Sequence, residues 1–245
     1  MKSKTIDLHN LKLYLFQEDE LYSLMKKSFL QKEKTSIFYC DFRLLNYSFQ
    51  KSLNFISKNI YCYPDSTGVY IILKLLLPRI FPRFKKLIST DIYIELLKIA
   101  NDNNLSLFLL GNENEILQLF IYQVSHDYPN IKFVGSVNGY GNLTNSVVEK
   151  INDCHPDILL VGMGVPKQEL WVIENYNKLN ANLIITVGAF FSLYSGHIRR
   201  APKLLRTLSL EWLVRLINDP ARLWKRYFVE YPFFVFNVIK ERITK

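Results

Sequence analysis

The sequence predicts an α/β fold: a mostly parallel sheet covered by helices on both faces, with a basic helical appendage at the C-terminus. Three observations carry this. Short apolar runs around 37–40, 59–64, 105–110, 156–162 and 182–188 alternate with segments whose apolar residues recur at helical spacing, the pattern of βαβ units with right-handed crossovers. Several of these runs are continuous rather than alternating, as strands buried on both faces require. From Arg199 onward the chain becomes basic and aromatic instead. The predicted sheet is Rossmann-like, and the expected division is an α/β core over 1–198 and an appendage over 199–245.

Composition agrees with this. With 49% hydrophobic and 22% charged residues over 245 positions, and only nine Gly and nine Pro, the chain can bury a full core and is not of low complexity. A net charge of +9 calls for an anionic partner: nucleic acid, a phosphorylated substrate or an anionic membrane surface. Cys40, Cys62 and Cys154 show no C-x-x-C or Cys/His ligand spacing, which points to a reducing compartment without disulfides or structural zinc. There is no signal-peptide core and no stretch of about 20 apolar residues, so a cytoplasmic protein is expected.

Taken in order, residues 11–16 are a short apolar segment, and EDELYSLMKKSFLQ places Leu21, Leu24, Met25 and Leu30 on one helical face. Ile37 to Cys40 reads as the first buried strand, ending at Asp41, with a helix over Phe42 to Asn54. NIYCYP is a strand delivering Asp65, and Ser66, Thr67 and Gly68 precede the helix VYIILKLLL. Open α/β sheets place ligand and catalytic groups at such a point, but from these residues alone an N-cap is the preferred reading of Asp65. Arg83, Lys85 and Lys86 form a basic loop, either solvated or in contact with a diphosphate. Then come a helix at Asp91 to Ala100, a strand at Leu105 to Leu110, the helix EILQLFIYQVSHDY, the strand IKFVGSVNGYG and a helix from Leu143 to Asn152. The strand ends at Gly111, Gly139, Gly162 and Gly188 are expected on one edge, the ligand crevice.

The stretch PDILLVGMGVPKQE at 156–169 reads as strand, glycine turn and helix, with Pro166 suited to a first helical position. Exposed N–H groups at such a helix start can hold a phosphate, and Gly162 and Gly164 allow close approach. A glycine turn needed only for backbone shape is the alternative. Residues 199–245 hold eleven Lys or Arg against four acids, +7 of the chain's +9. Arg215, Arg222, Lys225 and Arg226 lie among Trp, Tyr and Phe, a pattern that suits an interfacial helix; packing of the aromatics against the sheet is the alternative.

The motifs YPDSTG (63–68), LFLLGN (107–112), YPNIKFVGSVNGY (128–140), PDILLVGMGVPKQELW (156–171), VGAFFSLYSGHIRRAPK (187–203) and LEWLVRLINDPARLWKRY (210–227) give the chain a strong resemblance to the WecG/TagA/CpsF glycosyltransferases. The resemblance implies inverting, metal-independent transfer of a hexose, such as N-acetylmannosamine or its uronic acid, from a UDP-sugar to an undecaprenyl-diphosphate-linked sugar. No cofactor is implied. It also implies peripheral attachment to anionic lipids of the inner leaflet, and Asp65 as the catalytic carboxylate. Where the family has Asp-Gly this chain has Asp65-Ser66, and where it has Thr-x-Asn the nearest residues are Tyr39 and Asp41.

The expected site is therefore Asp65 as base with Arg83 on the leaving diphosphate. Substrate is expected against Tyr39, Asp41, Ser66, Thr67, Gly111, Asn112, Gly139, Tyr140, Gly162, Gly164, Pro166, Lys167, Gln168 and Glu169. No D-x-D is present to hold a metal, so leaving-group charge falls to backbone N–H groups between Gly162 and Gln168 with Arg83 or Lys167; Arg199 and Arg200 are further candidates. Self-association is left open. A non-catalytic nucleotide-binding regulatory or scaffold protein at the membrane is the second reading. Nucleic acid is not expected as a partner, because no helix-turn-helix, RRM or zinc pattern accompanies the basic tail.

Overall fold

The continuous apolar runs become strands of one eight-stranded sheet, with strand order β1-β2-β4-β3-β8-β7-β5-β6. The computed structural model describes residues 4–51, 59–76, 86–141, 143–198, 205 and 211–244, without the side chains of 76, 211, 215, 222 and 242–244. The strands are β1 (Lys4–Leu8), β2 (Leu11–Leu15), β3 (Thr35–Cys40), β4 (Ile60–Pro64), β5 (Ser106–Gly111), β6 (Lys132–Val137), β7 (Ile158–Gly162) and β8 (Leu183–Thr186). All pairs are parallel except β1 with β2. Sequence alone starts the strands at Ile37; the structure adds a hairpin before it. β2 alternates strictly, so Leu11, Leu13 and Leu15 are buried while Lys12 and Tyr14 lie nearer the surface, as a half-covered strand should.

The period of two in a strand divides each buried run between two cores. In β7, Leu159 and Val161 join one core and Ile158 and Leu160 the other. The helices between the strands are α1 (Glu18–Leu30), α2 (Phe42–Gln50), α3 (Thr67–Leu76), α4 (Ser89–Asp102), α5 (Asn114–Asp127), α6 (Asn145–Asp153), α7 (Lys167–Asn175) and α8 (Phe190–Tyr194). The first core takes Leu44 and Leu45 of α2, Val69 and Leu73 of α3, Val148 of α6 and Val172 of α7. The second takes Leu21 of α1, Leu96 of α4, Phe120 of α5 and Phe190 of α8.

The C-terminal part forms α9 (Glu211–Asn218), α10 (Pro220–Lys225), a π-helical turn at Arg226–Glu230 and α11 (Tyr231–Thr244). It divides into two kinds of surface. Phe234 and Val238 of α11 are buried in the first core, and the Tyr231 and Phe234 rings meet Phe42 of α2. Asn46 Nδ2 donates to the Glu230 carbonyl at 2.7 Å, and the His9 N–H donates to Glu241 at 2.8 Å. The last helix thus fills a core that the sheet alone leaves open. By contrast Trp212, Ile217, Trp224, Phe228 and Phe236 are exposed. Among the described residues no helix is long and apolar enough to cross a membrane.

Candidate active site

β3 connects to β4 on one side of it, whereas β5 connects to β6 on the far side of the sheet, so chain direction reverses near the β3/β8 boundary. Side chains at the carboxyl ends of strands converge on a crevice at such a point. Gly111 and Gly162 are register partners, and a side chain at Gly139 would strike Gly111 and Met163. These strand ends therefore share one edge. Gly188 has φ +55, and a Cβ there would overlap the Tyr39 hydroxyl. Glycine at 188 is what brings the ends of β3 and β8 together.

Asp65 follows β4, its N–H donating to the Cys40 carbonyl at 2.9 Å. It does not cap α3. Ser66, at φ +69, holds that place, with the Val69 N–H 3.4 Å from Ser66 Oγ and the Tyr70 N–H 3.1 Å from the Ser66 carbonyl. The Asp65 carboxylate is left for other work. Burial pushes its pKa up and Asp41 adds to this, while the Ser89 hydroxyl, the Ser66 N–H and Lys86 pull it down. Lys86 donates to Thr67 Oγ1 at 2.6 Å, which holds an ammonium near the turn that bears Asp65.

Asp41, expected against the donor sugar, is fully engaged. It caps α2 by accepting from the Arg43 and Leu44 N–H groups at 2.9 and 3.2 Å, and it pairs with Arg43 at 2.8 Å and Arg226 at 3.5 Å. Arg226, expected at lipid phosphates, also lies over the Phe42 and Tyr227 rings. The structure makes this pair a tie between the C-terminal segment and the end of β3. Tyr39 is buried, with its hydroxyl over Gly188.

On the other side of the reversal the contacts come from backbone. Gln168 is fully buried, and its Oε1 accepts from the Gly164 N–H at 3.2 Å and the Gly188 N–H at 3.1 Å. Its Nε2 donates to Glu169 Oε1 at 2.6 Å. One side chain thus staples the turn after β7 to the turn after β8. Glu169 is also fully buried, and desolvation raises its pKa to about 8 against the donation from Gln168. Gln168 and Glu169 support the turn from beneath; they do not line an open surface. The helix begins at Lys167, with Pro166 as its N-cap and the Val165–Pro166 peptide cis. The N–H groups of Gly164 and Gln168 are committed within the turn. Gly164 itself has φ +82, and a Cβ there would meet nothing within 4 Å. It is the point on this turn where a ligand can approach the backbone.

Lys167 is exposed and donates to the Gly139 carbonyl at 2.7 Å, which ties the β7 turn to the β6 end. Tyr140 is exposed. Asn112 is buried and engaged: its Nδ2 donates to Ser192 Oγ at 2.7 Å and its Oδ1 accepts from the Glu113 N–H at 3.0 Å. Lys225 is exposed. Arg83, Lys85, Arg199 and Arg200, and the side chains of Arg215 and Arg222, lie outside the described residues.

The structure brings to the neighbourhood of Asp65 two residues that sequence reasoning left out of the site, Lys86 on Thr67 Oγ1 and Ser89 on the Tyr63 hydroxyl. Lys86 had a signal, as part of the basic loop before α4. Ser89 had none, since its contacts depend on how α4 meets β4. Among the described residues no group of three or more His, Cys, Asp or Glu lies close enough to hold a metal ion.

The model of the glycosyl transferase WecG/TagA/CpsF family matches residues 6–245. A protein of Bacillus subtilis (strain 168), N-acetylglucosaminyldiphosphoundecaprenol N-acetyl-beta-D-mannosaminyltransferase, is 34% identical over 191 residues, 78% of this chain and 72% of the relative. A Staphylococcus aureus (strain MW2) protein of the same name is 32% identical over 204 residues, 81% of this chain and 77% of the relative.

Proposed function

Because this chain belongs to the WecG/TagA/CpsF family of glycosyltransferases, we propose that it transfers N-acetylmannosamine from its UDP derivative to N-acetylglucosamine linked to undecaprenyl diphosphate. The names of the similar bacterial proteins support the choice of sugar and acceptor. The observation that carries the reading is Asp65: a carboxylate at the sheet's carboxyl edge, excused from capping by Ser66, with Lys86 held two residues on at Thr67.

In the proposed reaction the acceptor hydroxyl oxygen attacks the anomeric carbon while the bond from that carbon to the diphosphate oxygen breaks. UDP leaves with the electron pair and Asp65 takes the hydroxyl proton, a role worth about 10²- to 10⁴-fold. A single displacement inverts the anomeric centre. Burial makes Asp65 a stronger proton acceptor than an exposed carboxylate. Lys86 and Lys167, with Arg83, supply positive charge for the departing diphosphate. The turn at Gly164 receives the nucleotide, and no metal takes part.

The acceptor's lipid is anchored in a bilayer, so the enzyme works at the membrane surface. The exposed aromatics Trp212, Trp224, Phe228 and Phe236 suit insertion at a lipid interface, with Lys225, Arg215 and Arg222 near lipid phosphates. Each such cation contributes about 1 kcal/mol. Incubating the full chain with a panel of UDP-sugars and short-chain lipid-diphosphate N-acetylglucosamine, with and without EDTA, tests the reading. Transfer of N-acetylmannosamine that survives EDTA is the expected result. UDP binding without turnover of any donor would instead favour the non-catalytic scaffold.

A further inference from the structure

α3 leaves the turn that bears Asp65 with two unlike apolar sides. Val69 and Leu73 are fully buried in the first core and hold the helix on the sheet, whereas Ile71 is 47% and Leu75 69% exposed. A single exposed Leu is ordinary. These two stand one turn apart, at i+3 and i+7 from Gly68, and so share its side of the helix. Gly68 lies flush with the Tyr231 ring, which any side chain at 68 would strike, and the Tyr231 hydroxyl donates to the Gly68 carbonyl at 3.3 Å. Phe228 and Val229, in the helical turn before Tyr231, are exposed too. An apolar strip therefore runs along α3 and meets the exposed aromatics of the C-terminal segment at Tyr231.

Along α3 the chemical character changes in a fixed order. Asp65, before its first turn, is only part-buried, and Lys86 donates to Thr67 Oγ1 within that turn at 2.6 Å. Ile71 and Leu75 then follow, about 6 and 12 Å beyond Thr67 at the helical rise per residue. The acceptor of the proposed reaction has the same order: a sugar hydroxyl, a diphosphate, then a chain of isoprene units. A cation at Thr67 suits the acceptor's diphosphate as well as the departing one. Beyond it, only hydrocarbon gains by covering Ile71 and Leu75.

We propose that the exposed side of α3 is the track on which the first isoprene units of the acceptor's polyprenyl chain lie, between the Asp65 turn and the C-terminal aromatics. This rests on the reading of the acceptor as a lipid-linked sugar. The strip does not anchor the protein, since two side chains offer too little surface for stable attachment to a bilayer. Its work is selection: it prefers an acceptor that carries a prenyl chain and aims the sugar hydroxyl at Asp65.

The test compares the full chain with the double variant Ile71→Gln/Leu75→Gln, which keeps helix propensity and alters only exposed positions. Leu119→Gln is the control, at a position of α5 that is 49% exposed on the opposite face. Calorimetry with farnesyl diphosphate and with inorganic diphosphate reads the contribution of the prenyl chain alone. The full chain and Leu119→Gln should prefer farnesyl diphosphate, and the double variant should lose about 10-fold of that preference with its affinity for inorganic diphosphate unchanged. In the transfer assay, the acceptor KM should fall as the lipid grows from one to four isoprene units in the full chain, and should stay flat in the double variant, with the donor KM unchanged. No preference in the full chain, or an undiminished one in the double variant, overturns the proposal. An undiminished preference together with weaker liposome binding would give the strip to the bilayer at large, and together with a change of oligomeric state in sedimentation would give it to a second copy of the chain. If the double variant loses the preference but the full chain transfers sugar to no lipid-linked acceptor, the strip still holds prenyl chains, and it is the sugar-transfer reading that fails.

Discussion

The two halves of the crevice edge do their work with different parts of the chain. On the β3/β4 side the groups are side chains: Asp65, Lys86 and Ser89, with Asp41, Arg43 and Arg226 beside them. On the β5–β8 side they are backbone: glycine-bearing strand ends in register, stapled by Gln168. The first arrangement suits proton transfer and charge, and tolerates no change of functional group. The second suits a rigid concave surface for a ligand, and depends on what is missing from each residue. A single substitution therefore should separate chemistry from binding, according to the side on which it falls.

The sharpest separation comes from Asp65→Asn, which keeps shape and removes the basic oxygen. Transfer should fall about 10²- to 10⁴-fold while UDP affinity, measured by calorimetry, stays near that of the unchanged protein. Near-normal turnover would erase the distinction between the halves.

Next in size is Glu169. Its folded pKa of about 8 lies above its ordinary value of 4.5, so between those limits the folded state holds a proton the unfolded state has lost. Stability should decline as pH rises from about 4.5 to 8, by a total on the order of a few kcal/mol, and then level off. Glu169→Gln keeps a neutral group there at every pH. Its thermal midpoint should lose that part of the slope and exceed that of the unchanged protein at pH 9; parallel curves would show that Glu169 stays ionised.

Gln168→Leu should cost about 2–4 kcal/mol in urea unfolding, because it strands the Gly164 and Gly188 N–H groups together with Glu169. It should also weaken UDP binding with little effect on the Asp65 titration. The smallest effect expected is at Gly164. Gly164→Val meets open space but an unfavourable φ, so a stability loss of about 1–2 kcal/mol should accompany a larger relative loss of UDP affinity. Unchanged affinity in a folded Gly164→Val protein would remove the nucleotide from this turn.

Most of the parallel sheet was legible in the sequence, because continuous apolar runs such as ILLV at 158–161 leave little choice of environment. The glycine edge was legible for the same reason. The β1–β2 hairpin was missed because β1, KTIDL, carries two charges in five residues, and β2, LKLYL, is too short an apolar segment to tell strand from helix. Within the site, Asp65 was legible as a carboxylate at a strand end, whereas the engagement of Asp41 was not: a good cap and a good ligand are the same residue type, and only the positions of Arg43 and Arg226 decide between them. The C-terminal aromatics posed the same difficulty. Phe234 and Phe236 are identical in sequence terms, yet one is buried and the other exposed, because only one of them faces α2.

That last helix also gives the two faces of the sheet different histories during synthesis. Among the described residues, the face made by α1, α4, α5 and α8 has all its buried members once residue 194 has emerged. The opposite face waits for Phe234 and Val238, and Tyr231 must settle on Gly68, where any side chain would strike its ring. A nascent chain halted between these points carries one finished face and one open apolar face at the same time. The residues nearest that opening include α3 and the turn bearing Asp65, so the candidate site is among the last parts of the molecule to be completed.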